Sequence, residues 1–89
     1  MVTAIVMLDV EREKINDVAE ALADVEGVSE VFSIAGAHDL AVIVRVKDND
    51  GLAEVVTGHM LKMSGIKKSE THIAFRVYSK HDLERMFSL

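Results

Sequence analysis

Gly27-Val28-Ser29-Glu30-Val31-Phe32-Ser33-Ile34-Ala35-Gly36-Ala37-His38-Asp39-Leu40-Ala41-Val42-Ile43-Val44 is the stretch whose reading decides the fold. Two segments rich in Val and Ile flank a Gly36-Ala37-His38 break, which is how two strands joined by a short connection read. The first segment predicts a strand over Val28–Ala35, with Phe32 and Ile34 on one face and Ser29, Val31 and Ser33 on the other. The second predicts a strand over Asp39–Lys47. It is continuously apolar from Leu40 to Val44, as a strand covered on both faces should be.

Upstream of this pair, Val2–Val10 carries an unbroken apolar run from Ala4 to Leu8 and predicts another strand covered on both faces. From Glu11 the period changes. Ile15, Val18, Ala19, Leu22 and Val25 recur at helical spacing, with Glu13, Asp17, Glu20 and Asp24 on the opposite side, and Gly27 stands where a left-handed cap is wanted. Downstream, Asp48 is placed to cap a second helix whose inner face holds Leu52, Val55, Val56, His59, Met60 and Met63. Gly58 inside that helix would cost about 1 kcal/mol relative to Ala. Gly65 ends it, and Ile66–Tyr78 predicts a long fourth strand. Ser79-Lys80-His81-Asp82 is similar to a capping box and opens a short C-terminal helix with Leu83, Met86 and Phe87 on one side.

The order is βαββαβ, and a weak internal repeat supports it. A shift of 38 residues, from Gly27 to Gly65, lays Ile15 on Ala53, Val18 on Val56, Leu22 on Met60 and Gly27-Val28 on Gly65-Ile66. Two such units in one sheet make an α+β, ferredoxin-like sandwich: two helices on one face of a four-stranded antiparallel sheet, plus the short C-terminal helix. Residues 1–89 then form a single domain. Its first and third strands are apolar on both sides, with Val6, Leu8, Val42 and Val44 on one and Ile5, Met7, Ala41 and Ile43 on the other. Two helices cover only one side, so the other predicts a protein interface, most simply a homodimer packed sheet to sheet.

Composition narrows the function. At 89 residues the chain buries roughly two-thirds of its unfolded surface, a small core for a monomer. It has no cysteine, so neither a disulfide nor a thiolate metal site can supplement that core. Oligomerisation is the remaining source of extra stability. Fifteen acids against ten bases give a net charge of −5, the wrong sign for holding a phosphate backbone. Three Phe, one Tyr and no Trp leave few platforms for stacking single-stranded bases. No apolar run approaches the ~18 residues of a membrane helix, and the N-terminus lacks the basic region of a signal peptide. These features predict a soluble cytoplasmic protein.

Gly36-x-x-Asp39, the order of elements, the stretch quoted above and Ser69-Glu-Thr-His-Ile-Ala-Phe75 together are similar to one family over nearly the whole chain. The chain resembles the ligand-binding half, or RAM domain, of the Lrp/AsnC transcription regulators. It departs from them in starting directly at the first strand, without a helix-turn-helix, and so is expected to be a stand-alone member. The resemblance implies a sheet-to-sheet dimer, a higher ring such as an octamer, and an amino acid or related metabolite bound between dimers. It further implies a ligand met by the G-x-x-D turn and by hydroxyls of the last strand. That nominates Gly36, Ala37, His38 and Asp39, with Ser69 and Thr71 as a T-x-T-like pair in which Ser69 replaces the commoner Thr.

The residues themselves allow two readings. Gly36 adopts backbone conformations that a Cβ resists and lets a ligand approach the main chain. Exposed N–H groups in the turn suit a carboxylate, and Asp39 suits an ammonium group. Equally, Asp39 in a turn commonly accepts backbone N–H bonds. Ser69 and Thr71 share one side of a strand and face either a ligand or a cross-strand neighbour. His38, His59, His72 and His81 form no metal-binding spacing, so neither a metal nor another cofactor is expected. His59 reads as a core or interface residue, and Lys62, Lys67 and Lys68 as a solvated loop. The leading expectation is a non-enzymatic module that binds an amino-acid effector and oligomerises in transcriptional regulation. It would make no direct DNA contact and could pair with a helix-turn-helix relative. The alternative is a small dimeric α/β-barrel enzyme using His38 or His72 as an acid or base.

Overall fold

In a computed structural model, residues 1–78 and residue 80 are described. The expected C-terminal helix, with Leu83, Met86 and Phe87, lies outside the described residues. The elements run β1 Val2–Val10, a 3₁₀ turn Arg12–Lys14, α1 Ile15–Ala23, β2 Val28–Ser33, β3 Leu40–Val46, α2 Asn49–Val56, a second 3₁₀ turn Met60–Lys62 and β4 Ile66–Ile73. The four strands form one sheet in the order β2-β3-β1-β4. Every neighbouring pair is antiparallel, which makes this the ferredoxin-like α+β fold. No described helix is long and apolar enough to cross a membrane.

The core explains why the central strands are uniformly apolar. Ala4, Val6 and Leu8 of β1 pair with Val44, Val42 and Leu40 of β3, and all six are fully buried. Val18 and Leu22 of α1, Leu52 and Val55 of α2, and Met60 close over them. The alternate residues pair across the same ladder as Ile5↔Ile43 and Met7↔Ala41, on the face away from the helices. That face is incompletely covered: Ile5 is 39% exposed and Phe32, opposite Ala41, 47%.

Element boundaries differ from the sequence reading where pairing or capping intervenes. β2 stops at Ser33 because Ile34 N–H donates to Asp39 C=O at 3.0 Å and closes the connection before Ala35. A register shift between Val28 and Glu30 leaves Ser29 without a partner, so Val31, not Phe32, packs against the core. α1 begins only after a 3₁₀ turn and ends at Ala23, leaving Val25 beyond the helix but still packed on the core. Gly27 follows at φ 98°, and a Cβ there would lie 2.9 Å from both Val46 and Val55.

Asp48 caps α2 as expected, accepting Gly51 N–H at 2.8 Å. The helix ends at Val56, so Gly58 is not inside it; a Cβ there would run into the Glu54 carbonyl. His59, expected on an inner stripe, is consequently exposed, while Met60 is fully buried. β4 ends at Ile73, well short of Tyr78, where its ladder with β1 stops at Ala4↔Ile73. Ala74 N–H donates to Thr3 C=O at 2.9 Å, and Phe75, Val77 and Tyr78 run on exposed.

Candidate functional site

The 34–39 connection, the end of β1 and the start of β4 meet at one end of the sheet. Asp39 ties the connection down twice. Its backbone N–H donates to Leu8 C=O at 2.9 Å, and its Oδ2 accepts Val10 N–H at 2.8 Å. The structural role weighed for Asp39 is therefore real, and it occupies one carboxylate oxygen. Gly36 sits at the tip with φ 120°. A Cβ at that position would meet nothing within 4 Å, so the backbone conformation, not crowding, calls for glycine.

His38 leans from the connection onto the sheet. Its Nδ1 lies 2.9 Å from Asp9 Oδ1 and its Nε2 3.7 Å from Glu70 Oε2. Glu70 Oε1 in turn lies 2.9 Å from His72 Nε2. Among the described residues no three His, Cys, Asp or Glu side chains are arranged to hold a metal ion. No polar or charged side chain is buried among them either, so every ionisable group of this end retains contact with solvent.

Two adjoining cavities open here. One, of about 410 Å³, is lined by Asp9, Ala37, Asp39, Lys67 and Lys68. The other, of about 150 Å³, is lined by Met7, Asp9, His38, Lys68, Ser69 and Glu70. This pair of cavities, which share Asp9 and Lys68, makes up the cleft between the G-x-x-D turn and β4. Ala37 and Asp39 line the larger cavity, and His38 and Ser69 the smaller. Gly36 lines neither. Thr71 lines neither cavity; it lies two residues farther along β4, opposite Val6.

Sequence reading missed Asp9, Glu70 and the two lysines. Lys67 and Lys68 belong to β4 rather than to a solvated loop. Asp9 looked like the polar end of a strand, and only the pairing Asp9↔Lys68 and Met7↔Glu70 brings these side chains to the turn. A further cavity of about 450 Å³ lies at the other end of the sheet, around Gly27, Lys47, Gly51 and His59, and contains none of the nominated residues.

The family model of the Lrp/AsnC ligand binding domain matches residues 3–83. An uncharacterised HTH-type transcriptional regulator of Pyrococcus furiosus is 38% identical over 72 residues, which are 81% of this chain and 49% of that protein. The chain spans about half the length of the curated relatives it matches. Among solved structures, a Thermus thermophilus protein superposes with a TM-score of 0.84 at 38% identity, covering 90% of this chain and 100% of that one. A Neisseria meningitidis transcriptional regulator, solved as its L-Met complex, superposes with a TM-score of 0.79 over 88% of this chain and 52% of its own. At 14% identity that last likeness is one of fold.

Proposed function

The chain belongs to the Lrp/AsnC ligand-binding domain family, and from that premise we propose that it binds an amino acid or related metabolite and oligomerises as one domain, residues 1–89, in transcriptional regulation. One observation carries the reading: residues about 30 positions apart, Ala37, His38 and Asp39 in the turn and Ser69 in β4, line two adjoining cavities that share Asp9 and Lys68. The cleft presents what a zwitterion needs. Turn N–H groups and lysine ammonium groups suit its carboxylate, and Asp39 keeps a second oxygen for its ammonium group. We assign the effector to Gly36, Ala37, His38, Asp39 and Ser69, with Thr71 reached by a ligand that extends along β4. The fold that serves this chain also serves the Neisseria regulator solved with L-Met.

The uncovered apolar sheet face supports a homodimer, and the family pattern supports a higher ring of dimers in the cytoplasm. A helix-turn-helix relative could join such an assembly. The reading assigns no DNA contact to α1 or α2, neither of which carries a lysine or arginine. An enzymatic reading has one observation in its favour, the Asp9–His38 pair at 2.9 Å, which orients an imidazole as a general base is oriented. Among the described residues no Ser or Thr hydroxyl is bonded to that histidine, and the family is a regulatory one. Thermal-shift titration with each of the twenty amino acids, followed by a turnover assay on every hit, tests both readings. Saturable stabilisation without turnover is expected; product formation would favour the enzyme.

A further inference from the structure

Two consecutive lysines line one cavity beside an irregularity in the β1–β4 ladder. β1 and β4 pair in step from Ala4↔Ile73 to Asp9↔Lys68, but Val10 pairs with Ile66, so Lys67 is skipped. Successive side chains of a strand point to opposite faces. A bulge breaks that alternation and re-aims one of them. Lys67 and Lys68 accordingly both line the 410 Å³ cavity, facing Asp9, Ala37 and Asp39.

The two signs of charge in this cavity are unequally satisfied. Asp39 Oδ2 already accepts Val10 N–H at 2.8 Å, and Asp9 Oδ1 is held 2.9 Å from His38 Nδ1. Neither lysine forms an ion pair among the described residues, although Lys68 stands directly opposite Asp9 in the ladder. Asp9 and Glu70 lie against His38 and His72, which leaves the two lysine ammonium groups without an ion-pair partner among the described residues. We propose that Lys67 and Lys68 are a specificity-determining pair and that the effector is an α-amino dicarboxylate, an amino acid whose side chain carries a second carboxylate. Its two carboxylates meet the two lysine ammonium groups, and its ammonium group meets the remaining oxygen of Asp39. The assignment rests on the effector reading above and adds the ligand's charge to it.

Titration calorimetry of the full chain with L-aspartate, L-glutamate, L-asparagine and L-glutamine at low salt tests it. The acids should bind at least roughly tenfold more tightly than their amides, the worth of one charge-assisted contact over a neutral one. Raising the salt should shrink that ratio, since both lysines are exposed. In a K67Q/K68Q double variant the ratio should fall to near unity. Equal affinities for acid and amide in the wild type would overturn the assignment while leaving the effector reading in place, and so would a ratio that survives in the double variant. Absence of binding by every amino acid would overturn both. The wild-type comparison needs no variant, so it stands whether or not the double variant folds.

Discussion

Asp39 splits its work between two oxygens, and substitutions can separate them. Asp39→Ala removes the acceptor for Val10 N–H at a part-buried position and should cost about 1–3 kcal/mol of stability. Asp39→Asn keeps an oxygen there and removes only the charge, so denaturant unfolding should place it between Ala and wild type. If the carboxylate also holds the ligand's ammonium group, both variants should bind amino acids roughly tenfold more weakly, or worse. An Asn variant that binds like wild type would take Asp39 out of the site and leave it a purely structural residue. The same two-sided character is why Asp39 was legible in the sequence at all: a turn needs Asp for its backbone bonds, and the G-x-x-D spacing names it. Lys67 was not legible, because nothing in Gly65-Ile66-Lys67-Lys68-Ser69 announces which residue the ladder will skip.

At the scale of elements, apolar periodicity placed every described strand and both helices, and missed at their boundaries. β4 reads as extended to Tyr78, but its ladder with β1 stops at Ala4↔Ile73. α2 reads as helical to Met63, but it stops at Val56, ahead of Gly58. The Asp48 cap was legible because it is local: Asp48→Ala should cost about 1 kcal/mol in thermal or denaturant unfolding. Of the three glycines with positive φ, Gly27, Gly36 and Gly65, the first two offer a sharper comparison. Gly36→Ala carries only backbone strain, about 1–3 kcal/mol, because a Cβ there meets open space. Gly27→Ala carries the same strain and a clash with Val46 and Val55 at 2.9 Å, so it should be the more destabilising of the two in parallel denaturant titrations. The open sheet face is testable at this scale as well. Ile43 sits on it, only partly buried in the single chain, so Ile43→Asp should leave the fold intact by circular dichroism yet yield monomers by light scattering. A well-folded wild-type monomer at micromolar concentration would remove the sheet-to-sheet dimer.

For the molecule as a whole, the question is how a domain with this surface reaches a promoter. A net charge of −5 repels phosphate, and the repulsion is strongest at the low salt where non-specific binding is usually tightest. α1 carries Asp17 and Glu20, α2 carries Asp50 and Glu54, and neither holds a lysine or arginine, so neither offers phosphate a favourable surface. On the reading proposed above, regulation by this domain passes through assembly. The available surfaces are the apolar sheet face and the cleft end, and an effector acts through them only if it binds one assembly better than another, since equal affinity shifts nothing. Fluorescence anisotropy should therefore show no saturable binding of the pure 89-residue protein to random or promoter duplexes at low salt, with or without amino acids. Native mass spectrometry of the same samples should show the distribution of oligomers moving with the amino acid that binds. Micromolar, saturable DNA binding would mean that a surface other than these helices carries recognition. A ligand-bound protein whose oligomers do not move would separate effector binding from assembly and leave the cleft without a route to transcription.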